Sequence, residues 1–201
     1  MQKLATFISA LFTPLMMPTY GIALCFLLTI LLFQPIGTRL TVLAVIFALT
    51  FLIPITVILL LHSLKILDKN LINRKERLIP YLVAIVCYFA AIFYLVHVHS
   101  PMWMVSYVFG ALGSIITVFT INFYWKISAH MTGIGGLVGI LMSLQGYGYS
   151  LFDILPLICL AFLFAGAVGS SRVYLERHTL GQVLAGFVCG FAWVFGVGFL
   201  F

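Results

Sequence analysis

A chain of 201 residues that is 64% hydrophobic and 7% charged, with mean hydropathy +1.26, cannot cover a water-facing surface; soluble domains devote about a quarter of their residues to charge. The bilayer is the solvent that fits, and at about 20 apolar residues per span the length allows six or seven crossings and no separate soluble domain. The net charge of +6 then points to lipid headgroups and phosphate-bearing lipids, not to nucleic acid.

The first apolar run, residues 4–33, is interrupted by Pro14 and Pro18. It predicts an interfacial or half-length helix within residues 1–18, over 4–16, then a span over 19–33, or else the two as one kinked unit. Lys3 precedes this run, but the prolines and the lack of a following soluble domain argue against a cleavable signal peptide. Proline and glycine mark residues 34–39 as a turn. A second span is expected over about 40–62, with Pro54 as a tolerated kink. Residues 65–80, KILDKNLINRKERLIP, form the one strongly polar stretch. Further spans are expected over about 80–97, 102–124, 131–146, 152–169 and 180–201, separated by segments holding His97 and His99, Lys126 to His130, Tyr147 and Tyr149, and Ser170 to His178. All 201 residues thus read as a single transmembrane domain, an all-α polytopic bundle of six or seven helices.

Cys25, Cys87, Cys159 and Cys189 lie inside apolar runs and read as free thiols without metal or disulfide spacing. His97 and His99 offer only two ligands and read as interface residues. The glycines from Gly133 to Gly139 follow no strand and lack the spacing of a nucleotide loop. At four-residue spacing, Gly135 with Gly139 and Gly186 with Gly190 instead predict close helix packing.

Counting spans places the polar segments. Residues 65–77, 126–130 and 171–178 each follow an even-numbered span, so all three open at the same side of the membrane. The opposite side receives Arg39, His97, His99 and Asp153. Ionisable residues kept beside hydrocarbon are functional candidates, and three separate segments converging on one side predict a composite cationic site with two imidazoles, His130 and His178.

Ser171-Arg172, five residues and His178 resemble the third signature, Ser-Arg-x5-His-x3-Asp, of the type 2 phosphatidic acid phosphatase superfamily. Ser128-Ala129-His130 is similar to its second, Pro-Ser-Gly-His, and the basic run from Lys69 to Arg77 sits where its first, Lys-x6-Arg-Pro, belongs. The order of the three elements agrees over residues 65–185. Ile127 and Ala129 replace the proline and glycine of the second signature. Seven residues separate Lys69 from Arg77, Leu78 stands where the proline is expected, and Gln182 occupies the aspartate position.

The resemblance implies a membrane-embedded, metal-independent phosphatase with no cofactor. Its substrate would be a phospholipid or isoprenyl phosphate or pyrophosphate, such as phosphatidic acid, phosphatidylglycerol phosphate or a lipid A phosphate, approached from the surrounding membrane lipids. His178 would be the nucleophile of a phosphohistidine intermediate and His130 the acid for the leaving oxygen. Arg172, Arg77, Lys69 and Arg74 would neutralise phosphate oxygens. Ser128 and Ser171 would donate hydrogen bonds to them, and Gln182 would orient the His178 ring. The family works at the outer face of the bacterial inner membrane, whereas the basic segments by themselves favour the cytoplasm; the outer face is the expectation taken forward. Two rivals remain: a non-catalytic lipid-phosphate-binding protein of the same fold, and a small transporter. Apart from Arg39, which stands at a turn, the spans hold few of the mid-membrane charges that a transporter would want.

Overall fold

A computed structural model describes residues 2–65 and 78–198. Among them the structure is helical throughout, with one isolated bridge between Thr29 and Ser150. The helices are α1 (Gln2–Leu11), α2 (Met17–Leu28), α3 (Ile36–Phe47), α4 (Ile53–Ser63), α5 (Leu78–His97), α6 (Met102–Asn122), α7 (Ala129–Gly146), α8 (Leu155–Tyr174) and α9 (Leu180–Gly198). Six stretches are long and apolar enough to cross a membrane, with Gln2–Leu28 and Ile36–Ser63 each counted as one. The glycine-rich α7 makes a seventh rod, and an all-α membrane bundle is the architecture.

Local chemistry explains the breaks. Pro14 opens a 3-10 turn (Pro14–Met16) between α1 and α2, because a residue without an N–H suits a first turn and not an interior one. Pro54 removes a donor near the joint of α3 and α4, and the chain answers with a π turn over Ala48–Leu52, where the Ile53 N–H bonds the Ala48 carbonyl. The turn expected over 34–39 is shorter: helix α3 starts at Ile36, directly after Pro35. Lys65, His99, Gly148 and Glu176 adopt positive φ just beyond the ends of α4, α5, α7 and α8.

At α8, the Arg177 N–H bonds the Arg172 carbonyl (3.1 Å) and the Glu176 N–H bonds the Val173 carbonyl (2.9 Å), the paired bonds of a Schellman cap. A side chain at such a left-handed position costs about 1 kcal/mol. Glu176→Gly is therefore expected to raise stability by several tenths to about 1 kcal/mol, checked by thermal unfolding in detergent.

Helix α7 is central. It packs on α2, α6, α8 and α9, and most of its residues are buried. It lies parallel to α9, as their contacts advance together: a Cβ added at Gly186 would meet the Ser128 carbonyl oxygen, one at Gly135 the Phe187 carbonyl, one at Gly139 the Phe191 carbonyl, and one at Gly198 the Ser143 side chain. The expected close packing at Gly135, Gly139, Gly186 and Gly190 is present. With no hydrophobic force between helices in lipid, such backbone proximity supplies the attraction. Large side chains face outward, among them Phe33, Phe93 and Leu163, each at least 70% exposed, as a lipid-facing surface allows.

Candidate functional site

Two polar segments share one end of the bundle. The Ser128 N–H bonds the Gln182 carbonyl (3.3 Å), and the Trp125 ring lies 3.9 Å from where a Cβ on Gly181 would be. Thus the segment between α6 and α7 sits directly on the first turn of α9. The starts of α7 and α9 lie side by side, so both positive dipole ends point at this end. Tyr81, near the start of α5, clusters there with Val118 and Ile127. The predicted elements Lys69, Arg74 and Arg77 lie outside the described residues.

His178 stands in the turn before α9 and is 7% exposed. Its Nδ1 lies 3.1 Å from Gln182 Oε1. The same oxygen accepts the Thr179 N–H (3.3 Å), and Thr179 Oγ1 in turn accepts the Gln182 N–H (3.5 Å). Thr179-x-x-Gln182 is therefore a capping box, a signal present in the sequence that the expected orienting role of Gln182 did not use. It also fixes chemistry. A backbone N–H can only donate, so the amide atom facing it is the oxygen, and the His178 Nδ1 must carry hydrogen to bond that oxygen. In the neutral ring Nε2 then holds the lone pair. Gln182 sits where an orienting group is expected.

The other residues divide. Helix α8 extends to Tyr174, beyond the expected end near 169, so Ser171 and Arg172 belong to its last turns and not to a loop. No proline follows Pro156 in this helix, and it runs on until the left-handed cap at Glu176. Within it the Ser171 hydroxyl donates to the Ala167 carbonyl (2.8 Å), and its proton is engaged there instead of being offered to a phosphate. Arg172 Nη1 donates to Ser9 Oγ on α1 (3.4 Å). Helix α1 packs along α8, with Phe12 against Phe164. Arg172 and Arg177 line an open polar cleft of about 460 Å³ with Gln2, Thr6 and Ser9. The contribution of α1 to this cleft has no signature in the sequence.

Ser128 is wholly buried, and its Oγ has no hydrogen-bond partner among the described residues. His130 lies in the first turn of α7 and lines a different cavity, of about 220 Å³, which neither Arg172 nor His178 lines. Lys126 precedes α7 in a non-helical segment, so it does not share a helix face with His130. His62, in the last turn of α4, was not singled out by the sequence; its Nε2 is buried and has no hydrogen-bond partner among the described residues. At the opposite end His97 stacks on Phe93 at 6.3 Å, and no group of three or more His, Cys, Asp or Glu able to hold a metal occurs among the described residues.

No family model, no curated protein and no solved structure matches the chain.

Proposed function

We propose that this protein is a membrane-embedded phosphatase acting on a lipid phosphate or isoprenyl pyrophosphate through a phosphohistidine. The observation that carries the proposal is the turn of His178: Gln182, held by its own cap, holds the ring with Nδ1 protonated (3.1 Å) while its carbonyl receives the Ser128 N–H (3.3 Å). The two segments resembling family signatures are thereby tied together at one end, beside two parallel helix N-termini that favour an anion and beside Arg172.

In this scheme Nε2 of His178 attacks phosphorus, the phosphorus–oxygen bond to the lipid breaks, and His130 gives a proton to the departing oxygen. Water then attacks phosphorus, the phosphorus–nitrogen bond breaks, and His130 takes the proton from that water. Arg172 exchanges its Ser9 partner for phosphate oxygens, a bidentate match that the planar guanidinium favours.

The test is release of inorganic phosphate from phosphatidic acid or farnesyl pyrophosphate by the purified protein in detergent. No release from either substrate class sinks the proposal. A binding-only protein is the second reading, favoured by the burial of His178 and Ser128. Its signature is saturable retention of the lipid phosphate without release.

For location we take the bacterial inner membrane with the His178 end at its outer face. In a background whose four cysteines are serine, a membrane-impermeant maleimide applied to intact cells is expected to label Glu176→Cys and not Ser100→Cys. The reverse pattern places the site inside.

A further inference from the structure

We infer that the cavity beneath His130 is a slot inside the protein for a single hydrocarbon chain of a phosphate-headed lipid. It lies among α2, α5, α6 and α7, holds about 220 Å³, and its walls are overwhelmingly apolar. An engineered apolar cavity of about 150 Å³ stays dry and takes up benzene, so this one suits a stretch of alkyl or isoprenyl chain and is too small for two.

Its depth follows from its lining residues. It reaches from His130 to Ile140 along α7 and from Pro80 to Tyr88 along α5, about 15 Å and 12 Å at the helical rise. That is near half of the roughly 30 Å hydrocarbon thickness. The slot therefore runs from the polar end towards the membrane middle, as a lipid chain runs from its headgroup.

Tyr88 and Tyr107 line the slot deeper in, while the imidazoles stand at its upper end. His130 lines the wall there. His62 lies one turn nearer that end than Ile58, another lining residue, on the same face of α4. Its buried Nε2, without a hydrogen-bond partner among the described residues, can bond an oxygen of the arriving head. A neutral hydrocarbon would leave the His62 Nε2 unused, and a free phosphate would leave the slot empty. The slot deepens the phosphatase proposal and rests on it for the headgroup: a chain seated here puts the departing oxygen on the His130 side of the phosphorus. The chain site itself stands on the cavity alone.

The experiment uses dodecyl phosphate carrying a diazirine on its terminal carbon, photolysed with the full-length protein in detergent. Adducts are expected on the inner walls, at Ala111, Ile115, Leu137 and Ile140. Unlabelled dodecyl phosphate should suppress them and inorganic phosphate should not. In the Ala84→Leu, Ala111→Leu variant, which fills the slot, adduct yield should fall at least about tenfold, one decade of affinity, while elution and thermal unfolding show a folded protein.

Adducts confined to outward-facing Leu82, Phe89 and Phe93, or undiminished labelling in the folded double variant, would each overturn the slot. Equal labelling by a diazirine-bearing dodecane without phosphate would overturn its preference for a phosphate-headed lipid. Should the double variant not fold, Ile115→Phe, fuller only at the half-buried wall, gives the same readout. Failure of the phosphatase proposal shows separately, as absent phosphate release by the unaltered protein, whatever the adduct map.

Discussion

His178→Ala is expected to reduce phosphate release by at least about 10³-fold, since removal of a covalent nucleophile leaves only binding and electrostatic assistance. The protein should stay folded. The imidazole bonds the cap of α9 through Gln182, and the Thr179–Gln182 pair that stabilises the helix start does not require it. Circular dichroism and elution in detergent check the fold, and single-turnover trapping of a phosphorylated protein checks the chemistry. Undiminished turnover would remove His178 from the mechanism.

Changes at residue 182 separate its two duties. Gln182→Glu keeps the capping box, which accepts either residue, and places a carboxylate beside Nδ1. Both Gln182→Glu and Gln182→Asp are expected to match or exceed the original rate, because a carboxylate stabilises the imidazolium better than an amide does. Gln182→Leu removes the acceptor for both the ring and the Thr179 N–H. It should lower activity and cost about 1 kcal/mol of stability. Collapse of activity in the two carboxylate variants would refute the orienting role.

The second large effect is expected at Gly190. A Cβ there would run into the Thr132 carbonyl oxygen, with the Thr132 carbonyl carbon 2.7 Å and the Gly136 nitrogen 3.0 Å away. All three are backbone atoms, so no rotamer change relieves the overlap and α7 must part from α9. Overpacking typically costs about 1–3 kcal/mol and more when backbone must move. Gly190→Ala should reach the top of that range, and Gly190→Leu should prevent a stable protein, as followed by thermal unfolding in detergent. Gly196→Ala is the control, since nothing lies within 4 Å of its added Cβ. Because the Ser128–Gln182 bond belongs to the same α7–α9 contact, Gly190→Ala should lose activity even where folded protein remains. Equal stability of the two alanine variants would contradict this packing.

Much was legible along the chain. Hydropathy alone determined the solvent of the protein and the approximate course of its spans, because transfer into hydrocarbon adds up residue by residue and needs no knowledge of neighbours. Counting spans put residues 126–130 and 171–178 at one end, where the Ser128–Gln182 bond joins the first segment to the helix that follows the second. The four-residue spacing of Gly135, Gly139, Gly186 and Gly190 announced a close contact, though not that α7 and α9 would be the partners or that they would be parallel.

Where side chains point was decided only by the tertiary structure. A helix turns about 100° per residue, so continuing α8 past 169 commits Ser171 to the Ala167 carbonyl and aims Arg172 at Ser9, a residue 163 positions away in the chain. Starting α7 at Ala129 likewise turns His130 toward the cavity among α2, α5 and α6. Composition and spacing are properties of the chain read in one dimension. The direction of a side chain depends on where its helix begins and ends and on which neighbour, often far off in sequence, leaves room beside it.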